Sequence, residues 1–278
     1  MATPVAVLPP EAIAHPAFDP LRPWLAALGE HPGIDELNAL ATARSSLVTA
    51  SGKPVRFCLP ASSGGKDYER RVFDTGLVDT REGNRHDLFN ALAWMAFPKS
   101  KAAINARHVA ALPAEGNARG PLRDLLTLID EGGVIVACAD AGAPVFESLV
   151  REFRWQELFW ERRAQLLAES RAVLVGHSAF EKALAPYPGI TCKALFLRVT
   201  RAHLESPMAE LVETLDALAA DWIHALPADA SPRRMAPLPV FGYPGWLPGS
   251  GSAAFYADRR WFRPAPAGRS TGKFELTA

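Results

Sequence analysis

The chain has 278 residues, 49% of them hydrophobic and 22% charged, ordinary globular composition with ample material for a core. Thirty basic residues balance thirty acidic ones, so binding of nucleic acid through bulk electrostatics is not expected. Cys58, Cys138 and Cys192 lie far apart in apolar runs with no Cys-x-x-Cys pair, the pattern of buried, reduced thiols in a reducing cytosol.

The first ten residues lack a basic region and are interrupted by Pro4, Pro9 and Pro10, unlike a signal peptide. No apolar run approaches the ~20 residues needed to cross a bilayer. A soluble, cytoplasmic protein without membrane contact is expected. Residues 1–33 read as a proline-rich arm laid over the core. Leu37, Leu40 and Leu47 predict a helix over 34–49, and 55–59 reads as a strand. Gly64-Gly65-Lys66 lacks the first glycine and the following Ser or Thr of a phosphate-binding loop; 61–66 reads as a flexible loop. The segments 70–74 and 77–81 flank Thr75-Gly76 and predict a hairpin.

Asn84 is an N-cap candidate, and Asp87 three residues on can complete a capping box. A helix from there stops at Pro98, and a second spans about 99–112. Pro121 suits the first turn of a helix that ends at Gly132-Gly133. A strand at 134–138, a helical stretch over 144–171 bent near Arg154-Trp155, a strand at 172–176, a short helix capped by Ser178 and Glu181, a strand at 191–199 and an amphipathic helix after Ser206-Pro207 follow. Arginines and glutamates interleave along 147–171, as on a solvated helix face. The tail over 227–278 is rich in proline, glycine and aromatics and is expected to wrap the body by its rings. The elements predict one α+β domain over 1–278, with helices around a small mixed sheet and a hairpin in the first half; the strand–helix alternation after Val134 leaves α/β as the alternative.

The chemistry concentrates between Asn84 and His108. His86 and Asn90 share a helix face that continues to Trp94; Lys101, Asn105 and His108 share a face of the next helix. If the helices fold back on each other, the stripes converge. Imidazoles beside an Asp and amides can act as general base or bind a divalent cation, with His86 and His108 as the metal candidates. Gly176-His177-Ser178 sits at a strand-to-helix junction of the kind that binds anions, with Lys182 nearby. Arg119 and Arg123 bracket a helix start and suit a carboxylate or phosphate. Each residue also has a structural explanation: Asn84 and Asp87 as cap, Asn90 and Asn105 as bridges between helices, Ser178 and Glu181 as a capping box. A Gly-x-Ser-x-Gly elbow is absent.

His86-Asp87-Leu88-Phe89-Asn90-Ala91-Leu92, continuing through Trp94, Phe97-Pro98, Lys101, Asn105 and His108, resembles the signature of a bacterial family catalogued as domain of unknown function 3025. Arg119-Gly120-Pro121 with Arg123-Asp124, Asp130-Glu131-Gly132-Gly133, Gly176-His177 with Glu181-Lys182, Gly242-x-Pro244-Gly245-Trp246, and Phe255-Tyr256 ahead of Phe262-Arg263-Pro264 are similar to it too. The resemblance implies a single-domain bacterial cytosolic protein and no particular activity. The expectation from the residues is a hydrolase acting on a small or phosphorylated substrate. His86, Asp87, Asn90, Asn105 and His108 would be its catalytic set, Arg123, His177 and Lys182 its substrate contacts, and a divalent metal a candidate cofactor. The rival is a non-enzymatic binding or interaction protein in which the same residues form a polar network. The oligomeric state is left open.

Overall fold

The computed structural model describes residues 8–44, 46–60, 68–115 and 119–266. The N-terminal arm comprises α1 (Pro10–Ile13), a 3-10 segment at Pro16–Leu21 and α2 (Arg22–Leu25). It enters the core rather than lying on it. Ala17, Phe18 and Leu21 are fully buried, and the Phe18 ring lies 6.0 Å from those of both Phe89 and Phe180.

Helix α3 (Ile34–Thr42) stops short of the expected residue 49. Leu47 and Thr49 are used instead in a tight reversal, in which Val55 N–H donates to Leu47 O at 3.0 Å and Thr49 N–H to Lys53 O at 2.8 Å. Strand β1 (Arg56–Cys58) follows. The predicted loop at 61–66 lies outside the described residues.

The predicted hairpin over 70–81 is not formed. Tyr68–Thr75 is helix α4, and β2 (Leu77–Asp79) pairs in parallel with β1, Arg56 opposite Leu77. The segment is rich in Glu and Arg, which favour helix, and Tyr68 and Val72 are spaced four apart on one face. Parallel strands also need a crossover, and α4 supplies it. Gly76 ends the helix in the left-handed region at φ +76, its N–H bonded to Val72 O at 2.8 Å. A Cβ there would lie 2.1 Å from Pro54 O, so only glycine fits.

Asn84 caps α5 (Arg85–Ala96) as expected, its Oδ1 accepting from Asp87 N–H at 3.0 Å. Asp87 does not complete a capping box. Its carboxylate takes the Arg81 N–H at 2.8 Å and the Arg81 guanidinium at 2.7 and 2.9 Å. Helix α6 (Pro98–Glu115) follows α5 with only Phe97 between them. Its first amides are covered from far away in sequence: Asp216 accepts from Lys99 N–H at 2.9 Å and Ser100 N–H at 2.8 Å. Four helix-end donors lack intrahelical partners, and a carboxylate also complements the helix dipole.

Helix α7 (Pro121–Gly132) runs directly into β3 (Gly133–Cys138), whose six residues are all buried. The expected long bent helix is α8 (Ala143–Arg151), a π turn at Glu157–Glu161, and α9 (Arg163–Glu169). The break falls at Phe153, which is left-handed at φ 59. Then come β4 (Ser170–Leu174), α10 (His177–Ala183), β5 (Cys192–Arg198), α11 (Arg201–Glu205), α12 (Met208–His224), β6 (Ala236–Leu238) and α13 (Ala253–Tyr256). The second sheet has the order β4-β3-β5-β6. Only β3 and β5 are parallel; β4 and β6 join antiparallel at the two edges. Two small sheets among helices make the fold α+β.

In the tail, Trp246, Tyr256 and Phe262 are buried, and the Phe159 ring lies 5.8 Å from Tyr256 and 6.0 Å from Phe262. One contiguous apolar cluster runs from Ala17 in the arm to Phe262 in the tail. Among the described residues, no helix is long and apolar enough to cross a membrane.

A polar cleft between five helices

Helices α4, α5, α6, α7 and the start of α10 surround a cleft of about 520 Å³. The two stripes predicted on α5 and α6 meet in it. Lys101 Nζ donates to Asn90 Oδ1 at 2.8 Å and lies 5.5 Å over the Trp94 ring. Of the predicted catalytic residues, His86, Asp87, Asn90, Asn105 and His108 all line this cleft, and so does His177. Lys182 does not; its charge acts instead on the buried Cys192 thiol. Arg123 stands behind the wall, its Nε–H pointing to His108 Nδ1 at 3.3 Å.

His177 reaches the cleft because α10 packs tightly on the end of α7. A Cβ on Gly176 would lie 2.5 Å from the carbonyl of Glu131, so glycine permits the approach. Ser178 is not the cap of α10; the helix begins at His177 behind Gly176, with no side-chain cap. Glu181, expected in that capping box, faces His86 instead, its Oε2 3.5 Å from His86 Nδ1. The two imidazoles meet edge to face, ring centroids 4.5 Å apart, with Nε2 to Nε2 at 3.1 Å.

The sequence reading missed Asp130 and Glu69. Asp130 bridges the site: one carboxylate oxygen accepts from Lys101 Nζ, and the other lies 3.7 Å from His177 Nδ1. The burial of Asp130 favours its neutral form, but the ammonium of Lys101 holds its carboxyl below the usual range. Asn105 donates to Glu69 O at 2.8 Å and Glu69 Oε2 at 2.7 Å. Both partners accept, which fixes the orientation of the amide. Burial pushes the Glu69 carboxyl up, against the Asn105 hydrogen bond. The Asp-Glu-Gly-Gly turn that carries Asp130 was legible as a helix stop, and nothing local to it points toward Lys101 or His177.

Burial dominates at the histidines. The His108 and His177 imidazoles are each pushed down to about 4, so both are neutral at physiological pH. In His108 the arginine occupies Nδ1 as a donor, so the ring hydrogen sits on Nε2. The cysteines offer no nucleophile: all three are unpaired, and burial raises each thiol above its ordinary range. His86 and His108, the metal candidates, line the same cleft, and His86 makes its ring contact with His177. Among the described residues, no group of three or more His, Cys, Asp or Glu is placed to hold a metal.

An α+β chain with a histidine-rich polar cleft is the class these features define. The chain belongs to the family described as Protein of unknown function (DUF3025), whose model matches residues 55–266 and so spans the whole cleft. No curated protein and no solved structure matches it.

Proposed function

We propose that the protein is a cytosolic hydrolase that uses histidine acid–base chemistry on a small polar substrate held in this cleft. The observation that carries the reading is the contact between His86 and His177, each with a carboxylate behind its outer nitrogen, on the wall of an open cleft. Imidazoles aligned this way can take the proton that a water loses as it attacks, and the Asp130 carboxylate stabilises the charge that then forms on His177. His108 presents Nε2–H as a neutral donor for a developing negative charge, a role its burial and Arg123 both favour. The cleft lining carries five carboxylates against the basic Arg81, Lys101 and Arg119, and Arg81 and Lys101 are already paired with Asp87 and Asp130. That balance favours a neutral or cationic polar substrate over a phosphorylated one. Three unpaired thiols, two of them buried, are consistent with a reducing cytosol.

A second reading, a non-enzymatic protein with a structural polar network, is favoured by one observation: Lys101, Asn90 and Asp130 satisfy one another without any ligand. A screen of the purified chain against small esters, amides and phosphoesters separates the two. The hydrolase reading expects turnover of an uncharged ester or amide that His177→Asn and His108→Gln each reduce at least a hundredfold. Turnover of none of the three classes, or turnover kept in both variants, would overturn it.

A further inference from the structure

The two imidazoles on the cleft wall leave a hydrogen count that does not close while both rings are neutral. His86 Nε2 and His177 Nε2 face each other at 3.1 Å. Their outer nitrogens face carboxylates, His86 Nδ1 at 3.5 Å from Glu181 and His177 Nδ1 at 3.7 Å from Asp130. Two neutral imidazoles carry two N–H hydrogens for these three gaps, and His177 Nδ1 has no hydrogen-bond partner, so the pair has room for one further positive charge, a proton or a metal ion. A cation between the Nε2 atoms closes the count: each ring keeps its hydrogen on Nδ1, toward its carboxylate, and both Nε2 lone pairs point at the ion. The spacing fits. Imidazole nitrogens held at roughly 2.0–2.1 Å, with an angle of roughly 90–110° at the ion, are roughly 2.9–3.4 Å apart. Carboxylates behind ligating histidines are also the usual means of fixing ring orientation and raising ligand basicity.

We propose that His86 and His177 form a binding site for a first-row transition-metal dication of the zinc type, with water in the remaining positions. Imidazole donors select such ions over magnesium or calcium, which prefer oxygen. Among the described residues no cluster of three or more His, Cys, Asp or Glu forms a protein cage, so positions stay open to water. An open position is the arrangement of an ion that activates water rather than one that holds a fold together. Binding of the ion stands without the hydrolase reading; its use on water rests on that reading, and with the ion bound the two rings serve as ligands while the ion, in place of a free ring nitrogen, lowers the pKa of the water.

The test is a Co2+ titration of the untagged, full chain, followed by visible absorption and heat, with displacement by Zn2+. The expected result is one equivalent per chain, bound at least tenfold more weakly by His86→Ala. His86 is 36% exposed, so that variant keeps its fold, as circular dichroism would verify. Glu181→Gln, which removes the charge behind His86 Nδ1, is expected to weaken binding by about ten- to a hundredfold. The chain has seven histidines; affinity unchanged in His86→Ala would place any bound ion elsewhere and overturn the site. Failure to bind either ion at one equivalent would overturn it too, leaving a shared proton between the rings. Turnover that persists in chelator without Co2+ binding would keep the hydrolase and remove the metal. Binding that depends on His86, in a metal-loaded chain inert toward every substrate class, would keep the metal and remove the hydrolase.

Discussion

Lys101 and Asp130 give the sharpest test of how the cleft is held together. The Lys101 side chain is 6% exposed and that of Asp130 22%, so the pair is largely desolvated. Breaking a buried pair by removing one partner costs about 3–5 kcal/mol, because the other charge is left uncompensated. Asp130 is partly exposed and keeps His177 nearby, so Lys101→Met is expected to cost about 2–3 kcal/mol. Asp130→Asn leaves the deeper ammonium with only Asn90 Oδ1 and the Trp94 ring, and is expected to cost about 3 kcal/mol. The double variant should then cost about 2 kcal/mol less than the sum, since residues in contact couple by roughly 0.5–3 kcal/mol. Denaturant unfolding followed by tryptophan fluorescence measures all four corners of the cycle. Costs under about 1 kcal/mol for both single variants, or costs that simply add, would show that the pair is solvated and that the cleft is not organised around it.

Two further outcomes test separate parts of the structure. Gly76→Ala is expected to be far worse than Gly52→Ala. Both glycines are left-handed, at φ +76 and φ +80, but only at Gly76 would a Cβ meet backbone, 2.1 Å from Pro54 O. Left-handed strain alone accounts for about 1–2 kcal/mol at Gly52, so equal melting-temperature losses would refute the close approach. Burial lowers the His108 imidazole from 6.5 to about 4, so between those pH values the unfolded chain binds more protons than the native one. The His108 contribution to stability should therefore be full above pH 6.5 and fall by about 3 kcal/mol as pH drops toward 4, with His177, lowered to about the same value, adding a similar fall. His108→Gln, which keeps an acceptor for Arg123, should flatten that dependence measurably; an unchanged slope from urea unfolding at pH 7 and pH 5 would contradict a buried neutral His108.

The sequence by itself determined what depends on neighbours a few residues away. Asn84 as a cap, the break at Pro98, the start of α7 at Pro121 and the apolar run of β3 all follow from backbone donors, fixed φ angles and periodicity. The stripes of His86, Asn90 and Trp94 and of Lys101, Asn105 and His108 were legible for the same reason, since helical spacing alone puts them on one face. Local reading failed where two local outcomes compete. Residues 70–81 have turn and strand features, and burial of Val72 together with the parallel pairing of β2 on β1 decided for helix α4. Tertiary structure alone decided the partners. Asp216 caps α6 across 116 residues and His177 meets His86 across 91. Asp130 joins Lys101 and His177 only because Gly176 lets α10 close on α7. Contacts of that kind leave no periodic trace in the chain, because they are set by how whole helices pack and not by the spacing of residues within any one of them.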